Sequence, residues 1–194
     1  MASSYNDRLK PISWKGECGD KEREDPINKW ATKAELLADW IRNSRYTVAF
    51  TGAGISVASG IKDFRGPNGV WTMEKKGLKA EFDIRFEDAE PSFTHMALVA
   101  LEKKGYLHYV VSQNVDSLHL KSGLPRQKLS ELHGNIFAEH CDQCNTEYIR
   151  DYDGPIEHTE APARLEIHLT HPTHACAHPF FCCCIVLSVS FSHC

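Results

Sequence analysis

The residues best equipped for chemistry in this chain are two glycines in a turn, Gly52 and Gly54, the polar side chains of Gln113, Asn114 and Asp116, and His133. The turn Thr51-Gly52-Ala53-Gly54-Ile55-Ser56 directly follows the apolar run Val48-Ala49-Phe50. A strand that stops in small residues and restarts as a helix aims backbone N–H groups, and the helix's partial positive charge, beyond the strand end. That arrangement suits a diphosphate, although many such turns are plain tight loops. A neutral imidazole at His133 is a general base near pH 7; the bland alternative is a structural histidine. Asn114 and Asp116 have the groups to orient a ribose and a water or to offset developing positive charge; equally, they could cap the next helix. Asp63 and Arg65 are either a solvated loop pair or contacts to sugar and phosphate. Cys141-Asp142-Gln143-Cys144 is a C-x-x-C pair, in a reduced compartment half of a tetrahedral zinc site. A redox role fits less well, because the pair does not open a helix after a strand. Cys176, Cys182, Cys183, Cys184 and the nearby histidines are the downstream candidates to complete it, without forming a second C-x-x-C.

These side chains need a frame. Residues 1–28 are polar and irregular and read as a lead-in segment. Trp30, Ala34, Leu37 and Ile41 follow 4-3-4 spacing, so 29–42 is an amphipathic helix. Residues 46–51 read as a buried strand entering the glycine turn, 56–59 as the start of a short helix, and 62–79 as mostly loop. Ser92 is an N-cap, with Met96, Val99 and Leu101 on the inner part of a helix ending at Gly105. Residues 106–112 are a second buried strand, ending at Gln113-Asn114-Val115-Asp116. Residues 129–131 are a third, ending at Leu132-His133-Gly134-Asn135. Strands 136–140 and 145–150 form a hairpin around the cysteine pair. Strands alternating with helices imply a parallel α/β sheet, whose functional residues gather beyond the carboxyl ends of the strands. The glycine turn, Gln113–Asp116 and His133 all fall on that edge.

Four ordered motifs together resemble the sirtuin family of NAD-dependent protein-lysine deacylases. They are Gly52-Ala53-Gly54-Ile55-Ser56, Ser59-Gly60-Ile61-Lys62-Asp63-Phe64-Arg65-Gly66, Ser112-Gln113-Asn114-Val115-Asp116-Ser117-Leu118-His119 and Glu131-Leu132-His133-Gly134-Asn135, followed by the cysteine pair. Gly66-Pro67-Asn68-Gly69-Val70-Trp71-Thr72 and Trp14-Lys15-Gly16-Glu17-Cys18-Gly19 are similar to the class IV nuclear branch, and most to a member that is a chromatin-associated histone deacylase with mono-ADP-ribosyl transfer activity. The resemblance runs from about Tyr5 to Asp151. It implies a partial Rossmann-like NAD-binding domain over 29–135, the first half of the family's large domain. An incomplete zinc-binding hairpin follows over 136–154, with Cys141 and Cys144 as metal ligands. It further implies that Gly52, Ala53, Gly54, Ile55, Asp63, Phe64, Arg65, Trp71, Gln113 and His133 line the NAD site. His133 would be the catalytic base, with Asn114 and Asp116 beside the nicotinamide. The implied partners are acyl-lysine proteins, histones on chromatin among them, in the nucleus. Val57, Lys62 and Ser117 depart from the family pattern, where a hydroxyl residue, proline and glycine are usual.

Composition separates the chain into two parts. Net charge is −4 with both signs interspersed, which implies no basic surface for sequence-specific nucleic-acid binding. No apolar run reaches the ~18 residues of a membrane span, and the N-terminus lacks the apolar core of a signal peptide. Residues 155–194 hold six of the eleven histidines and five of the eight cysteines, but no lysine. They have no amphipathic period, and this tail is expected to be unstructured, as residues never selected for a fold. It does not resemble the family's second half. Two readings therefore stand: an NAD-dependent deacylase, and a truncated, catalytically silent chain that acts at most as a binding fragment. An unrelated dinucleotide oxidoreductase is weaker, since Val57 occupies the place of the third fingerprint glycine.

Overall fold

The computed structural model describes residues 15–82, 84–141, 143–151 and the backbone of 184–186. Helix α1 spans Ile27–Asn43, strand β1 Val48–Thr51 and a 3₁₀ helix Ala53–Ser59. Helix α2 (Val70–Lys75) and helix α3 (Phe93–Lys103) come next. Strand β2 (Tyr109–Ser112) leads into a single helical turn, α4 (Leu118–Lys121). A short 3₁₀ turn, Arg126–Lys128, then feeds strand β3, Leu129–Glu131. Strands β4 (Ala138–Cys141) and β5 (Glu147–Ile149) form the hairpin, and β6 is Cys184–Val186.

The first three strands make a parallel sheet in the order β1-β2-β3, with Thr51 opposite Ser112 and Ser112 opposite Glu131. The three carboxyl ends are therefore level, and the segments that leave them start from one edge. Strands β5-β4-β6 form a separate antiparallel sheet. Strand β6 lies in the segment expected to be unstructured; the rest of that expectation, and residues 1–14 of the lead-in, fall outside the described residues.

Local sequence explains most element ends. Ser92 caps α3 in a reciprocal box: its hydroxyl accepts from His95 N–H, and Ser92 N–H donates to His95 Nδ1 at 3.2 Å. An imidazole here replaces the usual Glu or Gln. Gly105, at φ +74, follows the C-cap Lys104. The helix α2 was expected to be loop; it forms because Val70 and Trp71 N–H donate to the carbonyls of Asp63 and Phe64, which folds 63–71 into a compact unit.

Two apolar clusters support the sheet. Val110 of β2 packs with Val99, Leu107, Leu124 and Leu129. Ile61, Phe86, Ala89, Val115, Leu118, Ile136 and Phe137 pack beneath the connections at the carboxyl edge. Three features are less buried than the apolar patterns suggest. The α1 stripe does not reach a core: no α1 residue is buried, and Trp30, Leu37 and Trp40 are exposed. Strand β1 is not buried throughout either: Val48 and Phe50 are exposed, the latter 64 %. Strand β1 lies at the end of its sheet, so among the described residues it pairs only with β2. Met96, expected on the inner face of α3, is also exposed, whereas Val99 is 3 % exposed.

Candidate active site at the carboxyl edge

After β1 the chain passes through extended Gly52 into the 3₁₀ helix, whose opening N–H groups lack acceptors within the helix, as at any helix start. A Cβ at Gly54 would meet nothing within 4 Å, so the backbone there is open to close approach. The turn is not free-standing. Asn114 Nδ2 donates to Gly52 O and to Ser56 Oγ, both at 3.2 Å, and Ser56 Oγ donates to Asp116 Oδ2 at 2.6 Å. Asp116 Oδ1 accepts from Leu118 N–H at 3.0 Å, which caps α4. Asp116 is thus both cap and brace and Asn114 a brace, 5 % and 8 % exposed. Gln113 is exposed, and its side chain lies 3.8 Å from where a Cβ on Gly52 would be.

His133 stands two residues beyond β3. Its Nδ1–H donates to Gln113 O at 2.8 Å. A carbonyl can only accept, so the neutral ring carries its proton on Nδ1 and its lone pair on Nε2, the form a general base requires. The β2 and β3 connections are tied together directly by this bond.

Asp63, Phe64, Arg65 and Trp71 are bonded and packed among themselves. Asp63 Oδ2 accepts from Gly66 N–H at 3.0 Å, so this carboxylate organises its own loop. Phe64 and Trp71 pack with ring centroids 4.8 Å apart, and the Arg65 guanidinium lies over Trp71 at 4.9 Å while Nε donates to Lys15 O. The structure therefore draws Gly52–Ile55, Gln113, Asn114, Asp116 and His133 to one edge and makes 63–71 a separate, internally bonded loop.

Sequence reasoning missed a buried polar layer under this edge. His119 Nε2 and Thr51 Oγ1 share a 2.8 Å hydrogen bond. The His119 and His95 rings meet edge-on at 4.9 Å. Ser92 Oγ bonds both His95 Nδ1 and Ile55 O at 2.8 Å. Burial, with a smaller contribution from His95, lowers the His119 pKa to about 4; burial likewise lowers that of His95, against the pull of Asp116. Both rings are therefore neutral braces. Their only sequence signal was position, one in the first turn of α3 and one three residues after Asp116.

Cys141 ends β4 and is 2 % exposed, whereas Cys144 is exposed and its Sγ lies 3.1 Å from Thr146 Oγ1. Asn145 at φ +54 turns the chain between the strands. Two thiols on one hairpin fit half of a tetrahedral donor set. Among the described residues no third donor joins them. No described helix is long and apolar enough to cross a membrane.

A level parallel edge with a glycine turn, a bonded Asn–Ser–Asp group and a correctly tautomerised histidine defines a Rossmann-like α/β protein. Residues 78–178 match the Sir2 family, and the chain belongs to it. It is 50 % identical over 149 residues to the NAD-dependent protein deacetylase Sirt6 of Drosophila melanogaster, covering 77 % of this chain and 47 % of that protein. It is 49 % identical over 154 residues to the NAD-dependent protein deacetylase SRT1 of Arabidopsis thaliana, covering 79 % and 33 %. With the human NAD-dependent protein deacetylase sirtuin-7 the identity is 50 % over 123 residues, covering 62 % and 30 %. The chain thus spans less than half the length of these relatives.

Proposed function

We propose that this chain carries the catalytic half-site of an NAD-dependent protein-lysine deacylase. The observation that carries this reading is the His133–Gln113 bond, which leaves the imidazole lone pair on Nε2 at the edge where the glycine turn opens. The turn 52–55 would receive the NAD phosphates, Gln113 a ribose, and Asn114 and Asp116 the nicotinamide side. Phe64, Arg65 and Trp71 would wall the pocket, with Asp63 holding the loop that presents them. NAD, when bound, would supply the electrophilic sugar carbon that the acyl-lysine carbonyl oxygen attacks as nicotinamide leaves, and the neighbouring sugar hydroxyl that accepts the acyl group. His133 Nε2 takes up the proton released from a sugar hydroxyl, and the fixed Asn114–Ser56–Asp116 group keeps the edge in place without reorganisation. Zinc, with Cys141 and Cys144 as two of its ligands, would brace the hairpin. Acyl-lysine proteins, histones above all, are the proposed substrates, with mono-ADP-ribosyl transfer as a second activity and the nucleus as the site of action.

A second reading, a catalytically silent binding fragment, draws support from the exposed apolar surface of α1 and β1. One experiment separates the two. The purified chain is incubated with NAD and an acyl-lysine histone peptide, and released nicotinamide and deacylated peptide are quantified. Turnover in the wild type that His133→Ala abolishes, with the stabilisation by NAD retained, supports the deacylase. No turnover together with no rise in Tm on adding NAD supports the silent fragment. A ligand that prefers the native state at about 100 Kd stabilises it by about 2.7 kcal/mol, well within reach of a melting experiment.

A further inference from the structure

Glu131 ends β3, two residues before His133, and its side chain is 5 % exposed. The turn that follows is closed by Gly134 N–H to Glu131 O at 3.2 Å and anchored to β2 by Leu132 N–H to Ser112 O at 2.8 Å. Asn135 fastens the far side of the turn with both polar atoms of its side chain. Its Nδ2 donates to Glu131 Oε1 at 2.8 Å and to Ser117 Oγ at 3.1 Å, and its Oδ1 accepts from Phe137 N–H at 2.9 Å. Among the described residues, no hydrogen bond reaches the other oxygen of the carboxyl, Oε2. The nearest cation, Arg126, stands 3.8 Å away with Nε and Nη2 committed to Glu147 at 2.7 Å and Nη1 to Leu129 O at 3.1 Å.

We propose that Glu131 is a positioning residue for His133: its carboxylate grips Asn135, and through that grip fixes the turn that carries the imidazole. The inference rests on the reading of His133 as the proton acceptor. A charged acceptor holds an amide donor more tightly than a neutral one, so the grip strengthens when Glu131 is ionised. Burial raises its pKa to about 7; Arg126 and Asn135 pull it down, while Glu147 and Asp116 push it further up. Glu131 therefore changes charge in the range where His133 has to be neutral. A carboxyl that served only to fill space would need neither the Asn135 contact nor a neighbouring cation.

The test follows the His133 ring itself. The full chain is labelled with 13C-histidine, and the His133 Cε1 resonance is recorded against pH in the wild type, Glu131→Gln and Asn135→Ala. Glu131→Gln keeps an acceptor of the same shape but removes the titration. Beside whatever the ring itself contributes, the wild-type curve should show a second inflection near pH 7 from Glu131. Both variants should lose the second inflection, Asn135→Ala because the link is cut while Glu131 remains. Superimposable curves for the wild type and either folded variant overturn the proposal. In acyl transfer, Glu131→Gln should lower kcat about 10-fold with the KM for NAD almost unchanged, the mark of a displaced catalytic group. That second inflection in a wild type that turns over no peptide leaves the positioning role standing and removes the deacylase reading instead.

Discussion

Ser56 Oγ donates to Asp116 Oδ2 at 2.6 Å across 60 residues of sequence, so a buried bond joins the turn after β1 to the loop after β2. Ser56 is fully buried and also accepts from Asn114 Nδ2. Losing this hydroxyl leaves a buried carboxylate oxygen short of a donor, which costs about 1–3 kcal/mol. Ser56→Ala should therefore lower the urea midpoint accordingly. In a double-mutant cycle with Asp116→Asn the two substitutions should couple by at least about 0.5 kcal/mol. Strict additivity would mean that the bond contributes nothing.

Gly69 and Gly54 should respond in opposite ways to a methyl group. A Cβ at Gly69 would lie 2.6 Å from the Phe64 carbonyl carbon and 2.7 Å from Asp63 Oδ1, both inside the loop 63–71. Backbone cannot retreat as a side-chain tip can, so Gly69→Ala should destabilise by about 1–3 kcal/mol. Gly54→Ala meets no atom within 4 Å and should melt like the wild type. If the turn is a diphosphate cradle, Gly54→Ala should nonetheless lose most of the stabilisation by NAD. An unchanged NAD-induced rise in Tm would place the phosphates elsewhere.

The edge was legible in the sequence because three strands, each ending in small or polar residues, must level their carboxyl ends in a parallel sheet. That logic found Gly52, Gln113, Asn114, Asp116 and His133, and it found β3 to the residue. Helix α2 was not legible, since Gly66, Pro67 and Gly69 announce a loop, and only the long-range N–H bonds of Val70 and Trp71 make the helix. The His95–His119 layer was hidden for a similar reason: a histidine's burial depends on what packs over it, which no local pattern reports. The α1 stripe was read correctly as a helix but not as an exposed one. Amphipathic spacing says which face is apolar and nothing of what covers it.

Ser117 holds a left-handed conformation at φ +60, where glycine carries no steric penalty. Its hydroxyl accepts from Asn135 Nδ2 at 3.1 Å. Ser117→Ala keeps the strain and loses the bond, whereas Ser117→Gly loses both. Glycine should therefore be more stable than alanine here by about 1 kcal/mol, while lying close to serine. Alanine matching glycine in urea titrations would show that the φ carries no strain.

Trp40 and Phe50 are each 64 % exposed, on α1 and on the terminal strand β1. A strand edge that is unpaired among the described residues, beside apolar side chains, invites association. Trp40→Lys with Phe50→Lys should reduce light scattering on concentration, while each change moves monomer stability by no more than about 0.5 kcal/mol, as at other surface sites. A large loss of stability would reveal that the face is covered in solution.

His119 sets the acid limit of the fold. Its folded pKa of about 4 lies below the ordinary imidazole value of 6.5, with burial the main cause and His95 the second. Between these values the unfolded chain binds the proton that the folded chain refuses. The contribution is therefore fully present above pH 6.5 and is lost as pH falls through 4, amounting to about 3 kcal/mol as an order of magnitude. Glu131 works in the opposite sense. Its pKa is raised from 4.5 to about 7, so its contribution is present below 4.5 and is lost as pH rises through 7. From about pH 4.5 to 6.5 the two slopes oppose each other, so the joint contribution of His119 and Glu131 should be nearly flat. His119→Gln should unmask a profile that falls with rising pH across that window, and Glu131→Gln one that rises. Stability from urea unfolding at half-unit pH steps checks both, and a His119→Gln profile parallel to the wild type would show that His119 is not the group that the fold keeps neutral.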